Sequence, residues 1–113
     1  MDVVMNTKFP QQFEIYWINL DPTIGAEVQK KRPCVIVSPD EMNELLSTVI
    51  IAPITSTLRK WLFRIEIMYQ KRKGQIMLDQ LRCVSKQRLS KADGHLTAST
   101  AQKVTTCLQE MFM

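Results

Sequence analysis

Apolar residues come in short β-branched runs broken by proline, glycine and polar clusters, and only the C-terminal stretch spaces them at helical intervals. Ile15-Tyr16-Trp17-Ile18-Asn19-Leu20 predicts a strand that halts at Asp21-Pro22, where proline fixes φ and removes a backbone donor. Cys34-Val35-Ile36-Val37 follows Pro33 and stops at Ser38-Pro39, so it reads as a short buried strand. Pro39 to Leu46 carries acids in its first turn and favours a short helix, and Thr48 to Ile54 is a third apolar run. Phe63 to Tyr69 alternates as a half-exposed strand does, Lys73-Gly74 predicts the turn, and Gln75 to Val84 the returning strand. Ser85 to Lys91 reads as a helical turn. A final helix capped by Thr97 or Ser99 sets Ala101, Val104, Leu108 and Met111 or Phe112 on one stripe. Met1 to Gln12 has no period and reads as a flexible tail, with Phe9 and Phe13 free to tuck against the body. The expectation is an α+β fold, a strongly curved antiparallel sheet with a short central helix and a C-terminal amphipathic helix, in one domain over residues 13–113.

Composition narrows the class. A chain of 113 residues with 45% hydrophobic residues supports one domain with a modest core. Nothing before Gln12 has the apolar run of a signal peptide and no stretch is long enough to span a bilayer, so a soluble protein with no membrane partner is expected. Cys34, Cys83 and Cys107 are odd in number, far apart and set among apolar residues, which fits reduced, buried thiols and a cytoplasmic location.

Charge is uneven. Residues 1–27 carry one Lys and four acids, whereas 28–91 carry thirteen Lys or Arg against five acids, a surplus of eight. Such a belt is a phosphate footprint or ordinary solubility charge, and position has to decide between them. Its densest part is the loop between the first two strands, which holds one carboxylate, Glu27, and three cations, Lys30, Lys31 and Arg32, the last pinned against a strand. Thr55 and Ser56 end the third run, where hydroxyls bind phosphate or, more commonly, satisfy their own turn. Arg59-Lys60-Trp61 sets an aromatic beside cations, a composition used to stack a splayed base. Asp79 and Arg82 fall on the returning strand at positions able to face a site. Asp40, Glu41 and Glu44 are joined by no histidine and answer the helix dipole rather than a metal, and the single His95 excludes a two-imidazole mechanism within one protomer. No metal or cofactor is expected.

The blocks Ile15 to Glu27, Lys31-Arg32-Pro33, Ile51-Ala52-Pro53-Ile54-Thr55-Ser56, Leu78-Asp79-Gln80-Leu81-Arg82 and Leu108 to Phe112 resemble, in order and spacing, the MazF/PemK (Kid) toxins. The resemblance implies a small SH3-like antiparallel β-barrel, a two-fold homodimer, and a sequence-specific endoribonuclease cutting single-stranded mRNA without metal by attack of the RNA's own 2′-OH. It implies that Arg32 and Thr55 carry the reaction and Glu27 assists, with acid and base unassigned, while Lys30, Lys31, Ser56, Arg59, Lys60, Trp61, Asp79 and Arg82 bind RNA. It implies an acidic, MazE-like antitoxin. Two departures stand out: Phe13-Glu14 replaces the usual Gly-Asp before the first strand, and Met77 stands where the Kid branch has an arginine, which favours an arrangement centred on Arg32. The alternatives are a CcdB-like gyrase poison acting through an exposed aromatic end such as Met111-Phe112-Met113, and a non-catalytic SH3-like RNA-binding module.

Overall fold

β3 (Thr48–Thr55) is the axis of the molecule, because three other strands pair with it. The computed structural model describes residues 9–20 and 31–113, so Glu27, Lys30, the Asp21-Pro22 turn and residues 1–8 of the expected tail lie outside the described residues. The other strands are β1 (Glu14–Asn19), β2 (Lys31–Ile36), β4 (Arg64–Tyr69), β5 (Arg72–Met77), β6 (Arg82–Ser85) and β7 (Leu89–His95), with helices α1 (Asp40–Leu45) and α2 (Ala98–Met111). The sheet runs β4-β5-β3-β2-β1-β7 with every pairing antiparallel, and β6 joins β3 beside β5.

One edge of β3 explains the curl. β5 pairs with its end, Ile54 with Ile76 and Thr55 with Gln75, while β6 pairs with its start, Ile51 with Arg82 and Thr48 with Ser85. Between the two the register slips by three residues, the length of a 3-10 turn over Leu78–Gln80. The returning strand expected over Gln75 to Val84 is therefore one path broken by an excursion that drives Leu78 into the core and leaves Asp79 outside it.

Alternation along the strands gives the sheet two buried faces. Ile15, Val35, Ala52, Ile54 and Ile76 form one cluster, which α2 covers with Val104 and Cys107, joined by Ala101, Leu108 and Met111. Ile18, Cys34, Ile36, Val49, Ile51 and Val84 form the other. Thr97 caps α2, its hydroxyl accepting from the Thr100 N–H at 3.2 Å, whereas Phe112 stays 74% exposed. Residues 9–12 are tied to the body: Gln12 Nε2 donates to the Val37 carbonyl at 2.9 Å, and buried Asn43 donates to that of Pro10 at 3.0 Å.

Three local expectations are corrected. The β4–β5 hairpin turns at Gln70-Lys71, not at Lys73-Gly74: Tyr69 pairs with Arg72, and the two loop residues take φ of 51° and 64°, the positive values that match strand twist in a two-residue hairpin. The segment Ser85 to Lys91 makes a short 3-10 turn at Lys86–Arg88 and then enters β7, an exposed edge strand whose only large apolar residue before His95 is Leu89. Cys83 is exposed, unlike Cys34 and Cys107.

Candidate active site

β2 opens with Lys31 and Arg32 where β3 closes with Thr55. The register that pairs Cys34 with Pro53 and Ile36 with Ile51, continued outward, sets Arg32 across from Thr55 on the same side of the sheet. Below both, Cys34 and Ile51 are fully buried, so the site stands on packed core. Burial pushes the Cys34 thiol up to about 12 despite the nearby Arg32 and Arg82, so it is a neutral filler rather than a nucleophile.

Arg32 is half-buried. Its Nη1 donates to the Ile54 carbonyl at 3.3 Å, which fixes the guanidinium against β3. Its Nε is buried, and among the described residues no acceptor lies within hydrogen-bond reach. An orphaned donor on a cation costs desolvation energy unless a ligand oxygen completes it. Thr55 is only 8% exposed, and its Oγ1 accepts from the Thr57 N–H at 3.1 Å, so that among the described residues its hydroxyl keeps a proton to donate.

These residues line a cleft of about 260 Å³. Lys31, Arg32, Thr55 and Ser56 form part of its wall, Trp17 contributes from β1, and Tyr69, Gln70, Arg72 and Lys73 contribute from the β4–β5 hairpin. Four cations and the neutral hydroxyls of Thr55 and Ser56 around one cleft select an anion, and Arg32 presents a planar fork suited to phosphate oxygens. Among the described residues no three of His, Cys, Asp and Glu gather into a ligand set.

The remaining candidates from the sequence lie elsewhere. Arg59 and Lys60 are exposed, and the Arg59 backbone is clamped by Gln75, whose Oε1 accepts its N–H at 3.0 Å and whose Nε2 donates to its carbonyl at 2.8 Å. Asp79 is held by Arg64 through Nε at 2.7 Å and Nη2 at 3.1 Å, and the same guanidinium sits 4.5 Å from the Trp61 ring centroid. Arg82 Nη1 donates to the Leu20 carbonyl at 3.4 Å. Arg59, Lys60, Trp61, Asp79 and Arg82 are not among the described residues that line the cleft.

Trp17, Tyr69 and Gln70 were invisible as site residues in the sequence. All three donate to one carboxylate oxygen, Asp93 Oδ2: Trp17 Nε1 at 3.2 Å, Gln70 Nε2 at 3.2 Å and the Tyr69 hydroxyl. Burial, then the hydrogen bond to Asp93 and its charge, push the Tyr69 hydroxyl up to about 12, with Trp17 pulling the other way. Hydrogen bonds from Tyr69 and then Trp17 hold Asp93 below the usual carboxylate range. No sequence signal joins residues so far apart. Lys71-Arg72-Lys73 did stand out as a basic hairpin tip, and two of these three face the cleft.

Comparison with known proteins agrees with the resemblance carried by these motifs. The chain is similar to Endoribonuclease EndoA of Bacillus subtilis (strain 168), 31% identical over 102 residues that cover 85% of this chain and 88% of that protein. It shares its fold with MazF from Deinococcus radiodurans, with a TM-score of 0.79 at 21% identity over 91% of this chain and 96% of that one. A mycobacterial endoribonuclease solved in complex with its cognate antitoxin gives a TM-score of 0.76 at 22% identity over 89% and 92% of the two chains. A family model for the PemK-like, MazF-like toxin of type II toxin-antitoxin systems matches residues 11–112. With that match over nearly its whole length, and with Arg32 and Thr55 brought together in a basic cleft, the chain belongs to the PemK-like, MazF-like toxin family of type II toxin-antitoxin systems.

Proposed function

We propose that this chain is an endoribonuclease toxin that cuts single-stranded RNA at the cleft centred on Arg32 and Thr55. The observation that carries this is the half-buried Arg32, held against β3 through Nη1 yet with a buried Nε that has no partner among the described residues, across from the Thr55 hydroxyl. In the reaction the RNA 2′-oxygen bonds to the adjacent phosphorus and the bond from phosphorus to the 5′-oxygen breaks. The 2′-OH proton passes to a base, and a proton is delivered to the leaving oxygen. Arg32 supplies fixed positive donors to the charge that grows on the phosphate oxygens, and Thr55 adds a neutral donor. Glu27 is the carboxylate that the family resemblance brings to this reaction. Lys31, Arg72 and Lys73 hold the flanking phosphates.

The same reading places the toxin in the cytoplasm, where mRNA is, and among the described residues no helix is long and apolar enough to cross a membrane. It gives the toxin an acidic antitoxin as partner, as the mycobacterial relative has a cognate antitoxin. It also makes the chain a homodimer, which would cover apolar side chains such as Leu45 and Leu46, 82% and 46% exposed. The exposed Phe112 and Met113 are the one observation favouring a gyrase poison, and a gyrase assay on supercoiled DNA separates that alternative.

The test is cleavage of a mixed-sequence oligoribonucleotide with analysis of the new ends. A 2′,3′-cyclic phosphate and a 5′-OH are expected, with an all-deoxy strand uncut and EDTA without effect. Products ending in 5′-phosphate, or activity restored only by Mg²⁺, overturn the mechanism. In single-turnover measurements Arg32→Ala is expected to lose about 10²-fold, the usual scale for removing one donor aimed at transition-state charge, and Lys60→Ala far less. Equal losses would mean a diffuse binding belt.

A further inference from the structure

The Tyr69–Asp93 hydrogen bond joins the two ends of the sheet. β4 and β7 are the outermost strands of the order β4-β5-β3-β2-β1-β7, and Tyr69 ends β4 while Asp93 lies on β7. The contact therefore closes the open side of the curved sheet, and it does so beside Arg32. Trp17 is drawn in by the same Asp93 oxygen, so an aromatic ring from β1, the neighbour of β7, and one from the outermost β4 line one cleft. Both rings are only half-buried, unlike the covered side chains of the two core clusters. A carboxylate near RNA phosphates is repulsive unless its charge is spread, and here three donors converge on one oxygen. Gln70, one of the three, sits at the positive φ of the two-residue hairpin turn, from which its side chain reaches Asp93.

On the footing of the RNA-cleaving function proposed above, we propose that Trp17 and Tyr69 form a stacking subsite for one unpaired base next to the phosphate held by Arg32, with Asp93 as the positioning residue that fixes both rings. Aromatic rings at the wall of a cationic cleft suit a splayed single strand, since phosphates take the cations and the base takes the ring face. Every base has such a face, so the subsite adds affinity for single strands without choosing among bases. It acts on binding, whereas Arg32 acts on the chemical step.

The probe is a fully 2′-O-methylated oligoribonucleotide, which keeps bases and phosphates but lacks the nucleophile. In a Trp61→Phe background Trp17 is the remaining tryptophan of the chain's two, and its emission reports the subsite directly. Saturable quenching on titration is expected. Tyr69→Ala and Asp93→Ala weaken the probe by about tenfold or more, the scale of one lost stack, and Asp93→Asn, which keeps an acceptor oxygen, recovers most of it. With cleavable RNA, Tyr69→Ala acts mainly on KM and Arg32→Ala mainly on kcat. Silent Trp17 emission at saturation, or Tyr69→Ala binding as tightly as its parent, overturns the subsite. Should Asp93→Ala fail to fold, the Trp17 signal and Tyr69→Ala still decide. Cleavage that depends on Arg32 beside a silent Trp17 sinks this subsite alone, quenching without cleavage sinks the ribonuclease reading alone, and neither binding nor cleavage sinks both.

Discussion

A Cβ placed on Gly74 would stand 3.0 Å from the carbonyl oxygen of Thr55, closer than side-chain carbons normally approach backbone. Gly74 thus lets β5 come against the end of β3 where Thr55 must be held, and its role is close approach rather than the turn. Gly74→Ala is expected to push the strands apart. The overpacking penalty of about 1–3 kcal/mol is partly offset by about 0.4–1 kcal/mol from the stiffer unfolded chain. Net destabilisation of about 1 kcal/mol lowers Tm by several degrees, and the single-turnover rate falls beyond what Tm explains because Thr55 moves. Thermal melts and rates on the same preparation check this, and a variant as stable and active as its parent would show that Gly74 does not position Thr55.

How legible this site was in the sequence follows from what kind of contact made it. Arg32 and Thr55 were legible as strand-end residues, because apolar runs are bounded by Pro33 and by the hydroxyl cluster after Ile54, but it was the family resemblance and not the spacing that singled them out as a site. The sheet and α2 were legible for the same reason, since alternation and helical spacing survive in Phe63 to Tyr69 and in Ala101 to Met111. β7 was not, because Leu-Ser-Lys-Ala-Asp-Gly-His is an exposed edge strand with no buried face to impose a period. Nor was the turn at Gln70-Lys71, which lacks the glycine or asparagine that advertises positive φ. The Tyr69–Asp93 closure depends on how far the sheet curls, which no local pattern records.

Asp79 carries its load in stability. Its carboxylate is tied to the Arg64 guanidinium by two hydrogen bonds, and that side chain is 6% exposed against 24% for Asp79. Asp79→Ala strands a nearly buried charge and is expected to destabilise the fold by about 1–3 kcal/mol. Folded Asp79→Ala protein should lose little of its RNA-cutting rate. A large rate loss with no change in the denaturation midpoint would return Asp79 to the RNA-binding surface.

The Tyr69 hydroxyl should titrate late. Its value is raised from 10.0 to about 12, by burial first and then by Asp93, so the stabilisation from this group is fully present below pH 10 and is lost as pH rises towards 12. Asp93 is shifted the other way, below 3.8, so its contribution is present above that value and fades as pH falls through its lowered pKa. The closure should hold across the whole neutral range. The difference in phenolate absorbance between the parent and Tyr69→Phe isolates Tyr69 from Tyr16, and Asp93→Ala should bring its midpoint part of the way back towards 10, leaving the burial component. A parent Tyr69 midpoint no higher than that of Asp93→Ala would mean that the hydrogen bond to Asp93 does not persist in solution.

The proposed antitoxin has two chemically different surfaces to cover. Lys31, Arg32, Arg72 and Lys73 around the cleft call for carboxylates, whose attraction is weakened by salt at exposed positions. Trp61, Leu62 and Phe63 are 51%, 86% and 43% exposed and consecutive in the chain, an apolar patch outside the cleft that charge alone cannot use. Arg64 backs the Trp61 ring and leaves it preorganised. An acidic segment that also buries an apolar or aromatic anchor on this patch would gain affinity that salt does not remove, in the manner of a hot spot. Trp61→Ala is therefore expected to weaken the antitoxin about tenfold or more, and to weaken it more than it weakens RNA, whereas Lys73→Ala weakens both. The product of the neighbouring gene, titrated against the toxin at low and high salt with a 2′-O-methylated RNA as competitor, measures both sides. Binding that vanishes at high salt and ignores Trp61→Ala would leave only the charged groove as the docking site, and inhibition with the RNA competitor still fully bound would exclude the groove itself.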